Sequence, residues 1–379
     1  MSASHTDLLL TTNPGLEDLV ARELRGVADA AGVSVELPPP PDQPSGRVPV
    51  RLALERDAAV SLARGLHTIH HILRPVATLP LTPGADRDEA LAELRALISA
   101  LDVPELDGAA SFRVSTKRTG EHPYTSEDAA RAGGAGVRDR HPGLPVDLDD
   151  YAVNLRADVR DDTLTVAVQH TRVALSRRRV GPFRPRVALK APVAWAMLTL
   201  AAEALGRDPA VLLDPFCGSG TLLREAGARW PSCRLLGSDA FPVPTGGARE
   251  NLDALGLSDR SDVRLGDATA LRSVWPELRG GGCDLIVANP PYGRRLGART
   301  DLYALYHAFL VEAADLVPVG HRLVVIATAR RRLNKAIRHA HAWHTEHVRV
   351  VETGGIWPLL VVLVRRPDAP APAQPAETA

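Results

Sequence analysis

The period at which apolar positions recur changes along the chain. In the first half they alternate with polar ones in short runs, RVPVRLAL (47–54), SFRVSTKR (111–118), YAVNLRADV (151–159) and TLTVAVQ (163–169). That is the period of strands with one buried face. Between them, LEDLVARELRGVADAAG (16–32) and RDEALAELRALISALD (87–102) repeat at three and four, which predicts helices with an apolar stripe. The mixture predicts an α+β region with antiparallel or mixed sheets. LPPPPDQPSG (37–46) holds too many prolines for regular structure and reads as a loop or intradomain linker.

After Lys190 strand and helix patterns alternate, as a doubly wound parallel sheet requires. Strands are predicted at VLLD (211–214), RLLGSD (234–239), VRLGD (263–267), DLIVAN (284–289) and RLVVIAT (322–328). APVAWAMLTLAA (191–202) is apolar all round but too short to span a bilayer, so it predicts a buried helix. Pro242, Pro244, Gly246 and Gly247 predict that the helix after the second of these strands begins late. VRVVETGG (348–355) and WPLLVVLVRR (357–366) predict a closing antiparallel hairpin, and the Pro/Ala-rich residues 367–379 a disordered tail.

A chain of 379 residues is long enough for two or three domains, and 45% hydrophobic with 24% charged residues is a soluble globular composition. The N-terminus lacks a basic segment followed by a long apolar core, so a cytoplasmic protein is expected. Cys217, Cys233 and Cys283 show no CxxC spacing and predict neither a disulfide framework nor a zinc site. His339, His341, His344 and His347 lie close in sequence, but without further ligands at metal-site spacing they read as solvated basic helix and turn, and no metal is expected.

Net charge is zero, so distribution is more informative than the total. From Thr163 to Ala202 there is no Asp or Glu, yet Arg172, Arg177, Arg178, Arg179, Arg184, Arg186 and Lys190 fall within the span. A basic strip without compensating acids predicts phosphate contact; a chain that uses Arg for nearly every cation offers compositional bias as the alternative.

The chemistry gathers at strand ends. The strand at 211–214 runs into Asp214-Pro-Phe-Cys-Gly-Ser-Gly-Thr221 and then a helix, where Gly218 and Gly220 allow close backbone approach to a ligand and the helix start offers N–H groups. Neither the P-loop nor the dinucleotide GxGxxG spacing is present. The next strands end at Asp239, suited to a ribose diol, at Asp267, placed for an adenine amino group, and at Asn289, and ligands bind at such carboxyl ends. The last runs straight into Asn289-Pro290-Pro291-Tyr292. Two prolines carry no backbone N–H and fix φ, so they end the strand and leave carbonyls pointing outward.

DPFCGSGT, the acids of SD239 and GD267, and NPPY together resemble the S-adenosylmethionine-dependent amino-methyltransferases of the Rossmann-like, seven-stranded class. Within it the chain is most similar to the THUMP-domain RNA guanine-N2 methyltransferases, above all those acting on tRNA. TTNPGLEDLVARELRG resembles their N-terminal ferredoxin-like domain, residues 112–137 their THUMP domain, and TRVALSRRRVGPFRP the entry to their catalytic domain. The resemblance implies a ferredoxin-like domain over 1–75, THUMP over 76–170, a basic linker over 171–190 and a methyltransferase domain over 191–366.

It also implies roles. Asp214, Pro215, Phe216, Cys217, Gly218, Ser219, Gly220, Thr221, Asp239, Ala240, Asp267, Ala268 and Asn289 would hold S-adenosylmethionine. An exocyclic amine is a poor nucleophile because its lone pair is delocalised into the ring, so it must be turned toward the methyl carbon. The Asn289 oxygen and Pro290 carbonyl would accept its hydrogens, Pro291 would stiffen the turn, and Tyr292 would stack on a flipped base. Lys117, Arg118, Arg131, Arg177, Arg178, Arg179, Arg184 and Arg186 are the expected phosphate contacts, with Arg294, Arg295 and Arg299 beside the base. The expected partner is tRNA, with no membrane, and the chain is expected to act as a monomer. Ribosomal RNA guanine-N2, DNA adenine-N6 and protein glutamine methyltransferases use related motifs, and a non-catalytic RNA-binding relic is a further alternative. Loop-before-motif order argues against the DNA enzymes, and the N-terminal half with its Arg strip against the protein ones.

Overall fold

The computed structural model describes residues 4–39, 43–186, 188–292 and 301–367. It divides into two compact units. The first comprises Met1–Thr12, Val20–Asp42 and Arg47–Leu175, the second Asn13–Leu19, Gln43–Gly46 and Ser176–Ala379.

The first unit holds β1 (Thr6–Thr11), most of α1 (Glu17–Ala30), β2 (Val35–Glu36), β3 (Arg47–Leu52), α2 (Arg56–Arg64), β4 (His71–Pro80), α3 (Arg87–Ser99), β5 (Phe112–Ser115), β6 (Arg118–Thr119), α4 (Ser126–Arg140), β7 (Val153–Arg160) and β8 (Thr163–Gln169). One sheet runs β2-β3-β1-β4-β8-β7-β5, with β6 paired to β7. β4 continues across residues 75 and 76, the domain boundary that the resemblance implies, with a register shift between Pro75 and Ala77. α3 starts on a reciprocal cap: Asp86 accepts from the N–H of Asp88 and Glu89, and the Glu89 carboxylate accepts from that of Asp86. α4 packs closely because it is built from small residues. A Cβ at Gly136 would strike the Arg95 carbonyl of α3, so AARAGGAGV is a contact face as well as a helix.

Asp158 is a buried polar anchor on β7. Its carboxylate accepts from Arg47 and Arg156 and from the N–H of Lys117, each at 2.9 Å. Burial lowers the affinity of Arg47 for its proton, and Asp158 opposes that. Asp158→Ala would leave a largely buried guanidinium beside like charges, and we expect a loss of about 3 kcal/mol. The shift of the urea midpoint of the full chain measures it.

The second unit adds α5 (Ala191–Leu205), β9 (Val211–Asp214), α6 (Thr221–Arg229), β10 (Arg234–Asp239), α7 (Pro242–Asp253), β11 (Ser261–Leu265), α8 (Leu271–Val274), β12 (Leu285–Ala288), α9 (Leu302–Leu316), β13 (Arg322–Ala327), α10 (Arg330–Ala340), β14 (Trp343–Val350) and β15 (Leu359–Arg365). Its sheet runs β11-β10-β9-β12-β13-β15-β14, parallel through β13 and antiparallel in the closing pair. Successive strand residues feed opposite faces. Leu212 joins the core with α5 and α6, and Leu213 the one with α9 and α10. Residues 13–19 belong here because Arg349 grips Asp18 and the Gly15 carbonyl, and the Asn13 amide donates to the Glu352 carbonyl.

Several sequence expectations are corrected. α7 starts at Pro242, not late: prolines in a first turn remove N–H groups that have no helical partner there. The third parallel strand is Ser261–Leu265, so Asp267 lies beyond it and caps the following turn through the Thr269 N–H. The hairpin begins earlier, at Trp343. His344 and His347 are on β14, an edge strand whose polar residues imitate helix and turn. Among the described residues no three His, Cys, Asp or Glu side chains gather as a metal group, the three cysteines are free thiols, and no helix is long and apolar enough to cross a membrane. Of the expected tail, 367–379, residues 368–379 lie outside the described residues.

Candidate active site

The chain leaves β9 toward β10 and β11, then returns to place β12 on the other side of β9. The loops after β9 and β12 therefore flank the point where strand order reverses, the usual ligand crevice of an open α/β sheet.

After β9 the chain turns through residues 214–220. Asp214 is buried and accepts from the Phe216 N–H at 3.1 Å. Gly218 and Gly220 have φ of +52° and +77°, and a Cβ on Gly218 would meet nothing within 4 Å, so the turn borders open space. The Cys217 N–H donates to the Ser238 carbonyl at 2.9 Å, tying the turn to β10. At the end of β10, Asp239 accepts from the N–H of Gly218 and of Phe241, both at 3.0 Å. Burial pushes the Asp214 carboxyl well above its ordinary range, and Asp239 pushes it the same way. Burial also raises Asp239, against those two backbone donors. The Cys217 thiol is pushed far up by burial and by both carboxylates, so it is inert packing beside them.

Across the crevice, β12 is followed by a half-buried Asn289, a buried Pro290 and half-buried Pro291 and Tyr292. The Tyr292 hydroxyl donates to Asn289 Oδ1 at 2.7 Å, and the Tyr306 hydroxyl of α9 to the Pro291 carbonyl at 3.3 Å. Burial pushes both phenols up to about 12, so both are donors at neutral pH.

Sequence reasoning missed four supports. Tyr306 reads as one more apolar position of a core helix. Asn251 of α7 donates to the carbonyls of Ser219 and Phe183 and accepts from the Phe183 N–H, joining the glycine turn to the entering segment. Gly247 leaves room for the Phe183 ring, which a Cβ would overlap. Glu225, buried on α6, pairs with Arg179 at 2.9 Å, and Arg224 donates to the Arg179 carbonyl. Only the Gly-rich turn carries a sequence signal for any of this; the contacts themselves span 15 to 68 residues.

The other expected residues are scattered. Phe216 packs edge-on against Phe309 with centroids 5.2 Å apart, Thr221 accepts from Arg224, Ala268 is buried and Ala240 exposed. Of the basic candidates, Arg179 is engaged by Glu225, Arg131 by Glu127 and Asp128, and Arg118 by the carbonyls of Gly120 and His122. Lys117, Arg177, Arg178, Arg184 and Arg186 are exposed. Arg294, Arg295 and Arg299 lie outside the described residues.

Seven strands in this order, with a glycine turn and acids at their carboxyl ends, define the class of Rossmann-like methyltransferases. Residues 178–358 match the family described as RMKL-like, methyltransferase domain, and residues 89–169 match the THUMP domain. A tRNA (guanine(6)-N2)-methyltransferase of Thermus thermophilus is 38% identical over 93% of this chain and 98% of its own length. One from Archaeoglobus fulgidus is 28% identical over 93% and 91%. The crystal structure of TrmN from Thermus thermophilus matches with a TM-score of 0.72 at 35% identity, covering 96% of this chain and all of that one. The chain belongs to the THUMP-containing tRNA (guanine-N2)-methyltransferase family.

Proposed function

We propose that the protein methylates the exocyclic N2 amino group of guanosine 6 in tRNA, with S-adenosylmethionine as donor and Asn289–Tyr292 holding the flipped base. One observation carries the reading: a Pro-Pro turn sets the Asn289 amide oxygen at the sheet's switch point, beside a glycine turn lined by one buried and one half-buried carboxylate, Asp214 and Asp239. The relatives' names, which specify guanine 6 of tRNA, support the substrate.

The residues fit the donor. Among the described residues neither Asp214 nor Asp239 forms an ion pair, and the turn beside them borders open space, so a ligand bringing positive charge and hydroxyls suits both. When bound, S-adenosylmethionine supplies an electrophilic methyl group. Asp239 would accept from its ribose diol, Asp267 would take its adenine amino group, and the 214–221 turn would receive its amino-acid part. The Asn289 oxygen and the Pro290 carbonyl accept the hydrogens of the base's amine, which turns its lone pair out of conjugation, while the Tyr292 ring supports the base. An amide oxygen has two acceptor sites, so the Tyr292 hydroxyl need not be displaced. The reading assigns the protein to the cytoplasm and to work as a monomer.

The raised Asp239 makes cofactor binding pH-dependent. The diol needs the ionised carboxylate, so affinity falls as pH drops through the raised pKa and rises above it. Binding in that window, which opens above the ordinary 3.8, releases a proton. Calorimetry in two buffers of different ionisation enthalpy reads the proton count directly. The acceptor class is tested by labelled methyl transfer to unmodified tRNA, ribosomal RNA and duplex DNA. Incorporation confined to tRNA is expected, and incorporation into DNA or ribosomal RNA instead would overturn the substrate.

A further inference from the structure

Between Val317 and Thr345 the chain contains no Asp or Glu. α10 lies inside that span and carries Arg330, Arg331, Arg332, Lys335, Arg338 and His339, all exposed, over a buried face of Leu333, Ala336 and Ile337. Arg331, Lys335 and Arg338 follow at i, i+4 and i+7, a ridge about 10 Å long. Stacked like charges disfavour a helix unless something neutralises them. The ion pairs nearby join Arg322 to Glu346 and Arg349 to Asp18; among the described residues none involves α10.

The placement is specific. β13 pairs in parallel with β12, Val325 opposite Ala288, and α10 begins within three residues of the end of β13. Its first turn therefore leaves the same sheet edge as Asn289. The charge of Arg332 acts on the Tyr306 hydroxyl that holds the Pro291 carbonyl. On the flank toward α9, the Lys335 ammonium sits 4.7 Å from the centre of the Tyr303 ring, whose hydroxyl bonds His339 Nδ1 at 2.8 Å. Cations interleaved with an aromatic ring beside a base-holding turn match the chemistry of a phosphate backbone entering that turn.

We propose that α10 is a docking surface for the RNA substrate, with Arg331, Lys335 and Arg338 contacting the phosphates that flank the target base. The inference rests on the RNA reading above and adds a surface that neither the motifs nor the basic strip at 172–190 indicates.

The test is binding of unmodified tRNA transcript to the full chain across a salt series, comparing wild type with the triple variants Arg331→Glu/Lys335→Glu/Arg338→Glu and Arg331→Gln/Lys335→Gln/Arg338→Gln. The Glu triple should bind at least about tenfold more weakly, the Gln triple less so, and the slope of log affinity against log salt should shrink by about two to three. KM for tRNA should rise in parallel while kcat and cofactor affinity stay within twofold, and Arg331→Lys/Arg338→Lys should retain binding. Wild-type affinity and slope in both triples would overturn the proposal. So would loss of binding to anionic vesicles with tRNA binding intact, which would assign the helix to lipid. Salt-dependent binding that the triples lose, in a wild type that transfers no methyl group, would uphold the surface and refute the catalytic reading.

Discussion

Asn289→Ala should lower kcat for methyl transfer about a thousandfold while leaving the affinities for tRNA and cofactor within a few-fold. In the proposed reading the amide oxygen is the acceptor that orients a poor nucleophile, and removing one preorganised polar partner from a reacting group costs about 3–4 kcal/mol of barrier. The substitution also strips the Tyr292 hydroxyl of its partner at 2.7 Å. The neighbouring residue separates two contributions. Tyr292→Phe keeps the ring and loses only the hydroxyl, so its kcat should stay within about tenfold; Tyr292→Ala removes the stacking surface, worth about 1–3 kcal/mol, and should lose about a hundredfold. Single-turnover rates with cofactor saturating distinguish these variants. Equal losses in Phe and Ala would mean that the hydroxyl, not the ring, matters.

Asp239→Ala should weaken cofactor binding about a hundredfold or more. In the proposed reading its carboxylate, held by the Gly218 and Phe241 N–H groups, accepts from the ribose diol, and charge-assisted bonds to such a diol contribute about 1.5–3 kcal/mol each. The same change should alter the stability of the free protein little, because relief of a half-buried charge offsets the loss of two backbone N–H bonds. Burial already raises Asp239 toward its neutral form, and its charge also bears on Asp214, so removing it relieves that pressure. Thermal unfolding with and without ligand separates the two effects: at a ligand concentration 100 times the wild-type Kd the wild type gains about 2.7 kcal/mol, and the variant should gain almost nothing. A variant that lost stability and kept its ligand shift would mark Asp239 as structural only.

Much of the second unit was legible because buried parallel strands announce themselves as short apolar runs between turn residues. Residues 211–214 and 234–239 are bounded as expected. Elements that obey weaker rules were not. β4 holds Pro75 and Pro80 and a register shift, so its ladder is invisible to period alone. β14 is an edge strand written in polar residues, and Asp267 lies beyond its strand, after a Gly266 packed too closely on Val274 to carry a Cβ. The candidate site was readable where one segment carries the chemistry, as in DPFCGSGT and NPPY. It was unreadable where the partner is remote. Nothing in the strip 172–190 says that Arg179 turns to Glu225, and nothing near Asn251 says that it clasps Phe183 and Ser219. Charge runs give candidates; only packing shows which of them, such as Arg179, are turned to an acid.

The most direct measurement is nucleoside mass spectrometry of unmodified tRNA after reaction with the protein and S-adenosylmethionine, with Asn289→Ala as the blank. N2-methylguanosine, located at position 6 and absent from the blank, is the predicted result. N6-methyladenosine as the product, or N2-methylguanosine formed equally by Asn289→Ala, would contradict the account.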